Sequence, residues 1–171
     1  MSTASTLPAT LLPQLATALQ HRGWMLTAAE SCTGGLIAGA CTELPGSSEW
    51  FDRGFVTYSN AAKTEMLGVP AALIAQHGAV SEEVVRAMAQ GALAHSQAQV
   101  SMAVSGVAGP GGGSIAKPVG TVWLAWALPG QLVSECCHFD GDRAHIRACT
   151  VTHALARAVQ LMSDQCTSVA R

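Results

Sequence analysis

Trp24-Met-Leu-Thr27-Ala-Ala-Glu30-Ser31-Cys32-Thr33-Gly34-Gly35 is the stretch on which the fold turns. Residues 24–30 make a short apolar run of strand length, and residues 34–43 continue as an apolar, small-residue segment of helix length. A serine therefore stands where a strand gives way to a helix. The two glycines lower the steric cost of a tight turn and let a ligand approach the backbone. Free N–H groups at the start of the new helix can hold an oxyanion or a phosphate. This is geometry suited to an acyl-transfer nucleophile, although Ser and Thr before a helix are also ordinary N-caps. The stretch is not G-x-S-x-G, so an α/β-hydrolase elbow is not indicated.

On the N-terminal side, a helix is expected from about Ala9 to Arg22, with Leu12, Leu15 and Leu19 on one face and Gly23 ending it. Pro13 fits only in its first turn. The first nine residues read as frayed. Further along, Trp50 to Tyr58 reads as a strand, and Asn60 as the cap of a short helix that contains Lys63. Short helices are expected at Ala71–His77 and from Ser81 to about His95. A strand is expected from Val100 to Ser105. Val119–Leu128 and Leu132–Phe139 read as paired strands around Pro129-Gly130. A long last helix starts at Asp140-Gly-Asp142, with Ala144, Ala148, Val151, Leu155, Ala158 and Met162 along one face. Helices and strands alternate and a hairpin comes late. That pattern predicts one α/β domain over residues 1–171, a three-layer α/β/α sandwich around a mixed β-sheet.

The bulk numbers agree with one compact domain. Of 171 residues 49% are hydrophobic and only 12% charged, too apolar for a disordered chain. The net charge of −2 and the lack of a basic stripe argue against nucleic acid or an anionic membrane as partner. No run reaches the ~18–20 apolar residues of a membrane helix, and the N-terminus does not read as a signal peptide, so a cytoplasmic protein is expected. The six cysteines suit neither a disulfide framework nor a zinc site by spacing, and read as reduced packing residues. His138, His145 and His153 lack any usual ligand spacing and read as surface or packing histidines. No cofactor or metal is expected.

Three other places can carry chemistry. In Tyr58-Ser59-Asn60-Ala-Ala-Lys63, the chain's only tyrosine closes a strand and a lysine follows about one helical turn later. Burial would lower the lysine pKa from about 10.4 and let it act as base for a serine; the alternative is a snorkelling surface lysine. Ser105 to Gly113 follows a strand, and its amides can form an anion-binding nest, or simply a loop. Arg143 and Arg147 share a face at the start of the last helix and are candidates for clamping a phosphate, or for pairing with the neighbouring aspartates. The Ala/Gly-rich stretches 34–43 and 87–94 are a candidate oligomer face, compatible with a homodimer.

Taken in order, seven blocks resemble one family. They are Ala29-Glu-Ser-Cys-Thr-Gly-Gly35, Pro45-Gly-Ser-Ser48, Tyr58-Ser-Asn60 with Lys63, Gly78-Ala-Val-Ser-Glu82, Ser105-Gly-Val-Ala-Gly-Pro-Gly-Gly112, Lys117-Pro-Val-Gly-Thr-Val122 and Gly141-Asp-Arg143. Over about residues 10–163 the chain is similar to the stand-alone form of the CinA C-terminal-domain family, the nicotinamide-nucleotide amidohydrolases. The resemblance implies an α/β/α fold and hydrolysis of nicotinamide mononucleotide to nicotinate mononucleotide and ammonia, in pyridine nucleotide salvage. It also implies a metal-free serine–lysine centre, with Ser31 as nucleophile, Lys63 as base and Tyr58 relaying a proton or orienting the lysine. The substrate-binding groups it implies are Glu30, Thr33, Gly34, Gly35, Ser48, Ser105, Gly106, Gly109, Gly111, Gly112 and Arg143. The family has Thr where this chain has Ser105, which keeps the hydroxyl and loses an apolar contact. A non-catalytic nucleotide-binding module remains the alternative reading.

Overall fold

A computed structural model describes residues 7–168, with side chains through residue 164. Strands β1 (Leu26–Glu30), β2 (Phe51–Val56), β3 (Val100–Gly106), β4 (Thr121–Leu128) and β5 (Gln131–His138) form one sheet in the order β2-β1-β3-β4-β5. The first three are mutually parallel, and β4 and β5 run antiparallel, which makes the sheet mixed. Helices α1 (Leu11–Gln20), α2 (Leu36–Glu43) and α6 (Arg143–Ser168) cover one face. Helices α3 (Asn60–Leu67), α4 (Ala71–His77) and α5 (Glu82–Ala94) cover the other. The three-layer α/β/α sandwich expected from the sequence is the observed architecture.

Strand alternation divides the core into two layers. Leu26 and Ala28 of β1, Val100, Met102 and Val104 of β3, and Val122, Leu124, Trp126 and Leu128 of β4 pack toward α1, α2 and α6. Ala29, Ala103, Ala125 and Ala127 point the other way, and these small side chains let α5 lie close to the sheet. The chain leaves β1 through α2 to reach β2 on one side. It then returns through α3, α4 and α5 to reach β3 on the other. The carboxyl end of β1 is thus a topological switch point, where crossovers on opposite faces leave a crevice.

The end of β1 is built around Glu30. It continues the Leu26–Ala28 alternation, so its fully buried carboxylate turns toward α2. There it accepts hydrogen bonds from Gly35 N (3.1 Å), Ile37 N (3.0 Å), Ala38 N (2.9 Å) and Thr33 Oγ1 (2.6 Å). An anion at a helix N-terminus satisfies orphan N–H donors and complements the positive end of the helix dipole. Gly34 (φ +59°) and Gly35 (φ +98°) occupy left-handed conformations that let the chain curl around this carboxylate.

Several local expectations shift. Ser59, not Asn60, caps α3, accepting from Ala62 N at 3.0 Å, and Asn60 is the first helical residue. Pro45-Gly-Ser-Ser48, whose residues suit a turn, leads into a short 3-10 helix at Ser47–Glu49. The buried face of α6 is rotated: Ile146, Thr150, Ala154 and Leu161 join Val151, Leu155, Ala158 and Met162, while Ala144 is exposed. Ile146 lies off the expected Ala144–Ala148–Val151 stripe, and the arginine after it turns toward the β1–α2 turn. Residues 1–6 lie outside the described residues, and Leu7 packs against the core rather than fraying. Within 87–94, Met88, Ala89, Gly91 and Ala92 are buried against the sheet and α3, while Gln90 and Ala94 are exposed. Cys32 and Cys41 are buried, but Cys136 is exposed and Cys137 and Cys149 are half-buried, so only some of the cysteines pack as expected. The side chain of Cys166 lies outside the described residues. Among the described residues no helix is long and apolar enough to cross a membrane.

Two substitutions test this packing. A Cβ at Gly91 would clash with the carbonyl oxygen of Leu67, at the end of α3. Gly91→Ala should therefore destabilise by about 1–3 kcal/mol despite alanine's better helix propensity, lowering Tm by several degrees. Glu30→Ala would strand three N–H groups and a hydroxyl in the interior. It should cost about 3–5 kcal/mol, read as a Tm lowered by roughly 10 °C in a thermal melt.

Candidate active site

The ends of three parallel strands meet the start of α6 around a cavity of about 190 Å³. Ser31 follows β1, Thr57 and Tyr58 follow β2, and Ser105 and Gly106 end β3. Because Glu30 pairs with Val56 on one side and Val104 on the other, the three ends lie in one row. Ser59 starts α3 directly after β2, which puts Lys63 one turn into the helix and aims it back toward β1.

Lys63 is only 1% exposed. Its Nζ lies 3.1 Å from Ser31 Oγ and donates to the Thr57 carbonyl at 2.9 Å. No carboxylate makes an ion pair with it among the described residues. Burial without a compensating anion disfavours the charged ammonium and holds the Lys63 pKa below its ordinary value. Neutral, the amine has a lone pair for the Ser31 proton. Cys32, the adjacent thiol, is pushed up to about 11 by burial and stays protonated, which leaves Ser31 as the competent nucleophile.

Around this pair the polar groups fall into two sets. Ser105 is buried at the cavity wall and donates to the Ala79 carbonyl at 2.7 Å. Tyr58 sits at the rim, 62% exposed, and its hydroxyl accepts from Arg143 Nη2 at 3.2 Å. Arg143 Nη1 donates to the Gly109 carbonyl at 2.9 Å. Arg147, which the sequence offered as a phosphate ligand, instead donates to the carbonyls of Cys32 (3.1 Å) and Thr33 (3.0 Å) and so fixes the nucleophile turn.

The sequence-derived residues separate accordingly. Ser31, Lys63, Tyr58, Ser105, Gly106 and Arg143 line the cavity. Glu30 and Thr33 lie behind it, fully buried and bonded to one another, and shape the turn instead of facing a ligand. Gly34 and Gly35 supply the turn's curvature: the Gly34 N–H donates to the Ser31 carbonyl and the Gly35 N–H to Glu30. Ser48 precedes β2 and is therefore at the opposite end of the strand from the cavity. Gly109, Gly111 and Gly112 lie in the following loop, outside the cavity lining. No hydrogen bond joins Tyr58 to Lys63; the phenol is turned to Arg143. Cys32, Asn60 and Ala108, which belong to stretches singled out in the sequence, also line it, as do Ala79 and Val80, which the sequence reading did not single out as site residues. Ala79 and Val80 belong to the block Gly78–Glu82, whose resemblance was the one available signal. A larger hollow of about 720 Å³ between α1 and α6 is lined by residues such as Thr17, His21 and Val159 and holds no nucleophile–base pair.

The model of the CinA C-terminal domain matches residues 9–162. A nicotinamide-nucleotide amidohydrolase PncC of Pseudomonas putida is 57% identical over 155 residues, covering 91% of this chain and 97% of the relative. The PncC of Escherichia coli K12 is 51% identical, covering 85% and 88%. Among solved structures, a competence damage-inducible protein A from Klebsiella pneumoniae superposes with a TM-score of 0.86 at 43% identity, covering 90% of this chain and 95% of that one. The competence/damage inducible protein CihA from Agrobacterium tumefaciens gives a TM-score of 0.84 at 46% identity, covering 92% and 98%. Agreement of sequence and fold over almost the whole length has one consequence: the chain belongs to the CinA C-terminal domain family.

Proposed function

We propose that this protein hydrolyses the carboxamide of nicotinamide mononucleotide to nicotinate mononucleotide and ammonia. The observation that carries the reading is the buried Lys63 Nζ at 3.1 Å from Ser31 Oγ, in a cavity at the switch point of the sheet. The name and near-full-length similarity of the PncC relatives supply the substrate. A non-catalytic nucleotide-binding module has no use for a buried lysine of lowered pKa set against a serine hydroxyl.

In the proposed reaction Ser31 attacks the carboxamide carbon as Lys63 takes its proton. Among the N–H groups of the turn, that of Cys32, a residue of the cavity lining, holds the oxyanion. Those of Ser31 and Gly34 are engaged with the Val104 and Ser31 carbonyls, and that of Gly35 with Glu30. Arg147 holds this turn in place by donating to the Cys32 and Thr33 carbonyls. Protonated Lys63 then delivers its proton to the departing ammonia, and water hydrolyses the nicotinoyl ester by the same groups in reverse. The cavity accommodates the pyridine carboxamide, with ribose and phosphate at the rim. Arg143 and the exposed Tyr58 are the phosphate- and ribose-facing groups there. The proposed substrate is a phosphorylated metabolite, and the cytoplasm is the proposed compartment.

Ammonia release from nicotinamide mononucleotide, measured with chelator present, is the direct test. Ser31→Ala and Lys63→Ala should each lose at least about 1000-fold in kcat while remaining folded, as expected for members of one nucleophile–base unit. Near-native turnover in either would overturn the mechanism. Arg147→Met should lower kcat about 10- to 100-fold with little change in KM, because it loosens the turn that positions Ser31 and the Cys32 N–H for the transition state.

The pH profile has a definite sign. Activity needs neutral Lys63, so kcat/KM should rise with pH through the lowered Lys63 pKa and level off below the ordinary lysine value of 10.5. Between those two pKa values the unfolded chain binds more protons than the folded one, so stability rises with pH across the same window. A rate still climbing at the ordinary lysine pKa would contradict the assignment.

A further inference from the structure

We propose that Glu135, Cys137 and His153 form a binding site for a divalent metal ion of the zinc class, separate from the amide-cleaving cavity. Glu135 and Cys137 stand two apart on the edge strand β5 and share one face of it, the face that meets His153 of α6. Cys137 Sγ lies 3.5 Å from His153 Nε2, and His153 Nε2 lies 2.9 Å from Glu135 Oε2. All three ligand atoms fall within 4.8 Å of one another. A tetrahedral zinc with bonds of about 2.3 Å to sulfur and 2.0–2.1 Å to nitrogen or oxygen separates its ligand atoms by roughly 3.3–3.6 Å. The Cys–His distance already has that value, and the His–Glu distance need open by only about half an ångström.

The surroundings hold the ligands in place. Arg157, one turn after His153, donates to the other oxygen of Glu135 at 2.6 Å, orienting the carboxylate and leaving Oε2 directed at the histidine. The His153 ring is flanked by Trp126 and Phe139, with centroids 6.1 and 6.0 Å away. Outer partners of this kind set ligand orientation in metal sites. The site is half-buried, and a water molecule can complete the coordination from the solvent side. A thiolate, an imidazole and a carboxylate favour zinc or cobalt over magnesium or calcium, which prefer oxygen ligands alone.

Binding is balanced by protons. The Cys137 thiol, held above its ordinary pKa by burial and then by Glu135, releases its proton to solvent. His153 binds the metal through Nε2, so the Nε2 proton that it donates to Glu135 passes through solvent to Nδ1, leaving the ring neutral. Affinity therefore rises with pH. The ion would clamp the otherwise one-sided edge strand β5 to α6, the helix whose first turns carry Arg143 and Arg147. In register, Cys137 lies opposite Val122, which lies opposite Gly106 of the cavity. The two sites are thus about two strand spacings, roughly 10 Å, apart.

Cobalt(II) titration followed by absorption, paired with zinc-dependent thermal melts, tests the site. The expected result is one cobalt per chain, with a thiolate charge-transfer band and the intense visible bands of tetrahedral coordination. Zinc at about 100 times its Kd should raise Tm by several degrees. Both signals should vanish in Cys137→Ser and in His153→Gln. They should persist in Cys149→Ser, which alters the two-ligand contact with His145 at 3.3 Å. Ammonia release from nicotinamide mononucleotide should survive chelation and both ligand substitutions, so failure of the metal site is distinguishable from failure of the amidohydrolase reading. Absence of a thiolate band and of a zinc-dependent Tm shift in the wild type would reduce the cluster to an ion-pair network and overturn the proposal. So would signals that persist in both ligand variants.

Discussion

A lysine enclosed without a counter-charge is the constraint on which the active site depends. Ammonium groups are costly to strip of water, and the usual remedy is a carboxylate at contact distance. Lys63 has instead a carbonyl and a serine hydroxyl. Two neutral dipoles stabilise an ammonium less than a carboxylate would, so burial lowers the Lys63 pKa from its ordinary value and favours the basic form relative to a solvated lysine. The nearest buried carboxylate in sequence, Glu30, is kept from playing counter-ion because α2 and Thr33 already occupy both its oxygens.

This division of labour follows from topology. β1 lies between its two parallel neighbours, and its final residues face opposite layers. Glu30 turns to α2 and organises the helix start, while Ser31, one residue later, reaches the α3 side and meets Lys63. Arg147 from α6 holds the carbonyls of the intervening turn. Three helices from both layers therefore converge on the four residues after β1. A change in the packing of any one of them reaches the nucleophile. Gly91 is an example, since it sets how closely α5 approaches the end of the helix that carries Lys63.

The layered fold was legible because alternating strand and helix lengths, turn glycines and the late Pro129-Gly130 hairpin all point the same way. Ser31 and Lys63 were legible as candidates from local context, and as partners only through the ordered blocks around them. What escaped was whatever depends on side-chain direction. Glu30 and Thr33 sit inside the signature and look like ligand groups, yet strand alternation turns Glu30 inward. Arg143 and Arg147 share a helix face, but only Arg143 lines the cavity, while Arg147 is drawn to backbone carbonyls. Ser48 belongs to a matching block and lies at the far end of its strand. Glu135, Cys137 and His153 have no ligand spacing in the chain, because the cluster forms only when a strand's period of two meets a helix packed across it.

The most direct test of the account is a titration of the Lys63 amine itself, followed by nitrogen-detected NMR of selectively labelled lysine. The expected result is a Lys63 Nζ that loses its proton below the ordinary lysine value of about 10.4 and is shifted further when Ser31 is replaced by alanine. A Lys63 that titrates at the ordinary value and ignores the serine would contradict the claim that burial makes this lysine the base.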